Sequence, residues 1–324
     1  MRLPLALAFG LGLAAPAAAD VAQVVNGVIL PGYQAFADRT ADLAKAAAQD
    51  CRAEALQAPW QAAFDAWAGV SFLHLGPAEE DGRALAIAFW PDPKALGAKA
   101  QRGLLTGDPA KLAPEAFAEQ SVAARGLMGL ERLLYPAEPL PADPCALIRA
   151  TADDLARMAD EVRAGWQGGF AAMVLGAGQP GNTTFLTEDE AKQALFTQLA
   201  TGVEVLADQR LGRPMGTFDK PRPELAEARA SGRSLRNVTL SLVALRGFAV
   251  ALTPDIPRTL AGFDKAIALA EGLEDPVFAG VATPQGRLKV EILQQSLRAL
   301  RETMLAEMAP ALGVGIGFNS QDGD

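Results

Sequence analysis

Apolar residues recur at steps of three and four along most of the 324-residue chain, and runs that alternate apolar and polar positions are nearly absent. This spacing places the apolar side chains on one face of a helix. The pattern predicts an all-α fold, and roughly four long helices in each half suit two packed four-helix bundles. Helices are predicted over residues 21–51 with a break or kink at Pro31 and Gly32, and over 58–75, 114–135, 144–166, 187–211, 222–252, 255–272 and 287–308.

Composition and turn-forming residues indicate how the chain divides into domains. Alanine and leucine dominate the chain and β-branched residues are sparse, which favours helices. A glycine-rich stretch at 168–181 interrupts the helical pattern and is the predicted domain boundary. It divides the chain into an N-terminal bundle, residues 20–180, and a C-terminal bundle, residues 181–324. The run TEDE then predicts a capping box in which Glu190 bonds back to the amide of Thr187.

The first 19 residues have the composition of a cleaved signal peptide. Arg2 precedes the apolar run 3–15, and Ala17 and Ala19 occupy the A-x-A positions of a cleavage site. Spanning a bilayer takes about 20 apolar residues, so this run is a poor membrane anchor. No later segment is judged long and apolar enough to span. We therefore expect a soluble protein that starts at Asp20 and is exported to a bacterial periplasm.

Charge and cysteine content narrow the classes of partner. Lysine and arginine number 29 against 38 aspartates and glutamates, which gives a formal net charge of -9. Because phosphate binding needs a basic face, a nucleic acid partner is not expected. Cys51 and Cys145 are the chain's two cysteines. In an oxidising compartment a disulfide between them is the economical interpretation, and two buried free thiols are the alternative.

The chain has a single histidine, His74. This removes most support for a zinc site with two histidines, a Ser-His-Asp triad or a Cys-His pair. A lone histidine at a helix end, between Leu73 and Leu75, is more often a packed or capping residue than a ligand or base. A role for His74 as a metal ligand stays open as the minor interpretation.

Glu131 is an acid within the apolar stretch ARGLMGLERLLY, which also contains Gly126 and Gly129. Each glycine inside a helix costs about 0.8–1 kcal/mol relative to alanine, so another helix or a ligand is expected close to this backbone. A buried carboxylate must be paired, coordinated or protonated. Two interpretations remain open. One is a metal or ligand site, and the other is a structural ion pair with an arginine, for which the candidates are Arg83, Arg125, Arg233 and Arg236.

Four segments of the chain stand out as a set: GPAEEDGRALAIAFWPDPK, FAEQSVAARGLMGLERLLY, SGRSLRNVTLSLVAL and the terminal LGVGIGFNSQDGD. Together they resemble the imelysin-like family, also called the imelysin peptidase family. The resemblance covers essentially the whole chain after the signal. It implies two packed four-helix bundles, an exported location in Gram-negative bacteria, a frequent association with iron uptake and a site between the bundles.

The signature of that family, G-x-H-x-x-E, aligns with residues 126–131 of this chain. Gly126 and Glu131 match it, but Met128 replaces the histidine. A histidine and a glutamate three residues apart share a helix face and could hold a metal together, whereas a thioether is a poor ligand for a hard ion. The metallopeptidase activity in the family's name therefore lacks its paired ligands here. His74 could substitute only if the fold brings it near Glu131.

The leading hypothesis is a non-enzymatic binding or accessory protein linked to iron uptake, with a cleft between the bundles that holds a small ligand, iron or another divalent cation. A metallopeptidase-type hydrolase and an interaction scaffold without a small ligand are the alternatives. A periplasmic or outer-membrane iron-uptake protein is the expected partner. The candidate ligand-binding residues are Glu131, Arg83, Asp81, Arg233, Asn237, Gly126 and Met128, the candidate metal ligands are Glu131 and His74, and Asp322 in the tail could reach the same cleft.

Overall fold

The structure is a computed structural model that describes residues 20–315. The signal peptide predicted at 1–19 and Asp322 lie outside these residues. No β-strand occurs in the described range, apart from an isolated bridge between Thr217 and Lys220. The predicted all-α class is thus confirmed. The helices are Val21–Val24 (α1), Leu30–Gln49 (α2), Ala53–Ala68 (α3), Arg83–Ile87 (α4), Leu96–Leu105 (α5), Pro114–Ala118 (α6), Gly126–Leu134 (α7), Cys145–Gly165 (α8), Ala171–Leu175 (α9), Glu188–Glu204 (α10), Gly212–Met215 (α11), Ser234–Leu252 (α12), Pro257–Glu271 (α13) and Pro284–Leu312 (α14).

Two sets of four helices pack side by side. In the first half, α2 packs on α3 and α8, and α7 packs on the same two helices. In the second half, α14 packs on α10 and α13, and α12 packs on the same two. Helix α12 also contacts α3, which joins the two sets along one seam. The bundle architecture follows from the long apolar stripes, because each stripe must be buried against another helix.

The chain leaves the first bundle at residues 176–187 and enters the second at α10. Thr187 is the N-cap residue of α10, and its Oγ1 accepts the N–H of Glu190 at 3.2 Å. The Glu190 carboxylate bonds back to the N–H of Leu186, at 2.6 Å, rather than to that of Thr187. The predicted cap is therefore present with its return bond one residue earlier. The domain boundary at 180/181 stays a prediction.

Three predicted helices are shorter than their apolar patterns. A helix is predicted over 58–75, but α3 ends at Ala68, so His74 lies in the irregular segment that follows α3. Residues 114–135 divide into α6, a 3₁₀ turn and α7, because Arg125 is extended and Gly126 has φ +65°. Residues 222–233 form a loop ahead of α12, where Gly232 has φ +75°. A positive φ interrupts helical geometry, and the apolar pattern alone does not reveal it.

The helix predicted over 21–51 does not break at Pro31 and Gly32. A π-helical turn at Val25–Ile29 lies just before Pro31, and α2 continues from Leu30 to Gln49. Proline cannot donate the backbone bond of a regular helix, and the wider turn accommodates it near the start of α2. Pro31 therefore does not end the helix.

Cys51 and Cys145 form a disulfide, with their Cα atoms 5.3 Å apart. The bond links the turn after α2 to the first residue of α8. The predicted pairing is confirmed, and the alternative of two free thiols is wrong. Because the cysteines are 94 residues apart, the bond closes a long loop of the first bundle.

The expectation that no segment after the signal is long and apolar enough to span a membrane is wrong for helix α12. By length and composition it is apolar enough to cross a bilayer, with a mean hydropathy of 1.4 over its apolar window, although no such segment was expected after the signal. Half of that window is buried inside the protein. Since α3, α10 and α13 pack around it, α12 serves as a core helix of the second bundle.

Candidate functional site

A network of polar groups lies where the N-terminal end of α12 meets α3. The Arg233 guanidinium is 1% exposed, donates to the Asp65 carboxylate at 2.8 Å and donates to Asn237 Oδ1 at 2.8 Å. It also contacts Gln61 and stacks 4.2 Å from the centroid of the Phe64 ring. A buried charge of this kind is tolerable only with such partners. Burial lowers the pKa of Arg233, and Asp65 opposes that change.

Asp65 is shared between two arginines. Burial works against its ionisation, but hydrogen bonds from Arg236 and Arg233 outweigh burial and lower the pKa of Asp65. The network continues from Asn237, which donates to Glu227 at 2.8 Å, to Arg210, whose Nε lies 2.8 Å from Glu227. The seam thus carries a continuous chain of charged and amide groups from one bundle to the other.

Glu131 is also hydrogen-bonded across the seam, and its partner there is not an arginine. It is 4% exposed, and its Oε1 accepts the N–H of Ser231 at 2.9 Å and the O–H of Ser231 at 2.7 Å. Burial raises the pKa of Glu131, and the two bonds from Ser231 offset part of that increase. Ser231 belongs to the loop before α12, in the second half of the chain. A hydroxyl and a backbone amide therefore take the place expected for a cation.

The four arginine candidates all pair with other carboxylates. Arg125 binds Asp154 at 2.8 Å and Arg83 binds Glu161 at 3.1 Å, both within the first bundle, while Arg233 and Arg236 share Asp65. The interpretation of Glu131 as one half of an arginine ion pair is therefore wrong. Helix positions set these pairings, because the long arginine side chains reach whichever carboxylate their helix faces.

The two glycines near Glu131 make room for backbone. A Cβ atom added at Gly126 would overlap the carbonyl oxygens of Ala86 and Ile87 at the end of α4, and one added at Gly129 would overlap that of Ala124. Gly126 begins α7 rather than lying inside a helix. Met128 is buried in the hydrophobic core. Roles for Gly126 and Met128 in ligand binding stay predictions.

Asp81 and Arg83 do not join Glu131 and Arg233 in one site, contrary to expectation. They line a separate cavity of about 510 Å³ in the first bundle, together with Arg125, Arg157 and Glu161. Arg83 starts α4 and pairs with Glu161 of α8, whereas Asp81, in the preceding turn with φ +54°, has an exposed side chain. Their role in binding a ligand is untested.

The interbundle cleft lies beside the seam and has a volume of about 670 Å³. His74 is 54% exposed there and its Nδ1 lies 2.9 Å from Glu79, while its backbone N–H donates to Gln198 at 2.7 Å. Glu131 does not line this cleft, so the fold does not place His74 beside it. The main polar and aromatic groups of the lining are Trp67, Ser71, His74, Glu79, Trp90, Glu204, Asp208, Gln209, Arg210, Arg213 and Glu227.

Most of the residues that line the interbundle cleft could not be recognised as candidates from the sequence. Glu204 and Asp208 are one helical turn apart and pair on the outside with Arg301 and Arg298 of α14. Such a spacing is common on solvated helix faces, so it gave no signal by itself. Arg213 lies 5.8 Å from the ring centroid of Trp90, a contact that joins the two halves and that only the fold creates.

The residues around Glu131 do not fit a catalytic metal ion. A hydrolytic zinc centre uses three protein ligands and an open position. Within residues 20–315, no group of three or more histidine, cysteine, aspartate or glutamate side chains is placed to hold an ion. At Glu131 the neighbouring signature position is a thioether, and Oε1 is occupied by two donors from Ser231.

Comparison with known proteins gives the family. The family model for imelysin, a peptidase family by its description, matches residues 29–304. This chain belongs to the imelysin family. The resemblance that the motifs indicated is thereby confirmed. Among curated relatives, the chain is 23% identical over 313 residues to iron-regulated protein A of Synechococcus elongatus, covering 88% of this chain and 84% of that protein.

Solved imelysin-family structures share the fold. An imelysin-like protein from Psychrobacter arcticum 273-4 superposes with a TM-score of 0.77 at 20% identity, covering 92% of this chain and 96% of the other. A protein described as an iron-regulated protein A precursor, from Parabacteroides distasonis, gives a TM-score of 0.69 at 14% identity, covering 90% and 97%. At these identities the likeness shows the fold alone.

Proposed function

We propose that this imelysin-family protein is an exported, non-enzymatic binding protein that holds a small polar ligand or an iron species in the cleft between its bundles. The cleft of about 670 Å³ carries the proposal, because small-molecule sites occupy about 300–1,000 Å³ and favour domain interfaces. His74 and Glu79 contribute polar groups from the first bundle, and Arg210 and Arg213 contribute them from the second. A ligand there would contact both halves.

The link to iron uptake is supported by the relatives from Synechococcus elongatus and Parabacteroides distasonis, which are both named iron-regulated protein A. Iron would be cargo in this proposal, rather than a resident cofactor. Glu204 and Asp208 place carboxylates on one wall, where a cation would compete with their partners Arg301 and Arg298, and hard cations prefer oxygen ligands. Iron or another divalent cation is accordingly the first class to test, and a periplasmic or outer-membrane iron-uptake protein is the proposed recipient.

Export to the periplasm is supported by residues 1–19 and by the disulfide. Arg2, the apolar run 3–15 and the A-x-A site have the order of a signal peptide. The bond between Cys51 and Cys145 suits an oxidising compartment. Edman sequencing of protein purified from a periplasmic extract should begin at Asp20; a chain that retains Met1 in the cytoplasm would contradict this part.

The non-enzymatic part is supported by the signature position. Met128 replaces the histidine, and Ser231 donates two hydrogen bonds to Glu131, so one group that a metallopeptidase needs is missing and the other is already engaged. A peptide hydrolysis assay with and without chelator tests this part. Hydrolysis that the chelator abolishes would overturn it.

Isothermal titration calorimetry tests the cleft itself. Ferric iron, ferrous iron, calcium, zinc and haem are titrated separately, and saturable binding is expected for an iron species. The paired variant Glu204→Gln with Asp208→Asn should weaken that binding, while Glu138→Gln, which changes an exposed acid away from the cleft, is the control and should not. Flat isotherms for all five ligands would contradict the proposal that the protein binds iron or another metal. Equal weakening by the control variant would contradict the proposed position of the site.

A further inference from the structure

The outer face of α12 carries an uncharged stripe, flanked by Arg236 and Arg246, that is half-buried at Leu235 and Thr239 and exposed from Val243 onwards. Leu235, Thr239, Val243, Gly247 and Val250 follow one another at steps of four, four, four and three, over about 22 Å of helix. Val243 is 51% exposed and Val250 is 37% exposed. A helix normally presents charged and polar residues on the side that faces solvent. This stripe, here called the α12 stripe, departs from that pattern.

At its N-terminal end the α12 stripe enters a groove of about 420 Å³ between α12 and the end of α13. The floor of the groove is mostly apolar and includes Leu235, Leu240 and Ala270. Glu271 and Glu274 form an acidic rim. Within residues 20–315, no basic side chain lies within ion-pair distance of either rim carboxylate. The groove thus combines an apolar floor with two uncompensated negative charges.

Two details indicate what could fill this surface. A Cβ atom added at Gly247 would meet nothing within 4 Å, so the packing of this chain does not require glycine there. Glycine inside a helix lowers its stability relative to alanine, and it allows another backbone to approach closely. Arg236, at the edge of the groove, is held by Asp65 and does not neutralise the rim. Both details suit a helix that approaches from outside and carries positive charge.

We infer that the α12 stripe and its groove form a docking surface for an amphipathic helix of a partner protein. The apolar face of that helix lies on the α12 stripe, and its flanking lysines or arginines pair with Glu271 and Glu274. A second copy of this chain would bring the same acidic rim and a net charge of -9, so like charges would meet. An anionic membrane surface would be repelled in the same way. The groove shares no residue with the interbundle cleft, so the two sites can be tested separately.

The test uses a labelled synthetic peptide of leucine and lysine at helical spacing, about 18 residues long and so able to cover the stripe. The same peptide with glutamate in place of lysine is the counterpart. Fluorescence anisotropy with the full chain should show saturable binding of the lysine peptide alone. Glu271→Lys with Glu274→Lys should weaken binding about tenfold, the size expected for two lost surface ion pairs. Val243→Gln should weaken it as well.

Matched controls separate this surface from a general charge effect. Glu138→Lys with Glu302→Lys makes the same charge change elsewhere, and Leu288→Gln removes an exposed apolar side chain from α14. Both should leave binding unchanged, and circular dichroism melts confirm that each variant folds. Absent binding, or equal weakening by the controls, would overturn the inference. A dimer seen by sedimentation velocity and dissociated by Val243→Gln would also overturn it, because a second copy would then cover the α12 stripe. Peptide binding that appears only after residues 1–19 are removed would overturn it as well, because those residues would then be the occupant.

Discussion

Replacing Glu131 with glutamine tests how the seam neutralises this carboxylate. Glutamine keeps the size and shape of the side chain and can still accept the N–H and O–H of Ser231 through its amide oxygen. What changes is the charge. If a cation balanced Glu131, the substitution would leave that cation buried and unpaired. In the structure the hydrogen-bond partners of Glu131 are two neutral donors, at 2.9 and 2.7 Å. The nearby charge of Arg132 lowers the pKa of Glu131, but Arg132 donates its hydrogen bonds to Gln101 and to the carbonyl of Ala123, so the substitution does not leave that guanidinium without partners.

The magnitude follows from two opposing contributions. A hydrogen bond to a charged group contributes about 1.5–3 kcal/mol and a neutral one about 0.5–1.5 kcal/mol, so two weakened bonds cost about 2 kcal/mol. Removing the charge relieves a desolvation penalty of several kcal/mol. Burial is the larger influence, since the pKa of Glu131 is raised despite both bonds. We therefore expect Glu131→Gln to be neutral or to raise the free energy of unfolding by about 1 kcal/mol at pH 7.

The effect should depend on pH in a defined direction. The folded pKa of Glu131 lies above its usual value of 4.5, so the folded state binds the proton more tightly than the unfolded state. The stabilisation from that proton is complete below the unfolded pKa and is lost as pH rises through the folded pKa. Any advantage of the glutamine variant should thus be largest at neutral pH and shrink towards zero below about pH 4.

Urea unfolding followed by circular dichroism between pH 4 and 8 measures these differences for wild type and variant. Ser231→Ala is the matched comparison, because it removes one donor from the charged acceptor and should cost about 1.5–3 kcal/mol at pH 7. A loss of several kcal/mol in Glu131→Gln at pH 7 would refute the reasoning, since it would reveal a buried cation opposite Glu131. A difference that grows as pH falls would refute the pH argument.

Three further predictions use the same unfolding assay. Gly126→Ala should cost about 3 kcal/mol, from positive-φ strain and overlap with α4, whereas Gly247→Ala, with open space around its Cβ, should gain up to about 1 kcal/mol. A neutral result for Gly126→Ala would contradict the close approach of α4. Cys51→Ser should cost about 4–5 kcal/mol, because it opens a loop of 94 residues. No loss would mean that the reduced chain stays compact. Asp65→Asn should cost about 3–5 kcal/mol by leaving Arg233 buried without its carboxylate, and a cost below about 1 kcal/mol would show that Gln61 and Asn237 suffice.

Local patterns accounted for the helical class, most helix positions and the cap at Thr187, whereas the disulfide was predicted from the count of two cysteines and the expected oxidising compartment. Their physical basis is short range: apolar residues three and four apart share a face, and a capping hydroxyl bonds an amide three residues away. The same patterns overextended the helices at 114–135 and 222–252. Apolar periodicity does not register a positive φ at Gly126 or Gly232, since a loop that packs on the core can carry the same residues as a helix.

Residue types and their spacing were enough to predict an all-helical protein with a buried acid at position 131 and two glycines close to it. The packing of the helices was needed to show that Ser231, 100 residues away, hydrogen-bonds that acid, and that Arg83 pairs with Glu161 rather than with Glu131. It also placed His74 with Arg213 in the interbundle cleft instead of beside Glu131. These pairings depend on how whole helices are positioned against one another, which the spacing of residues along one helix does not encode.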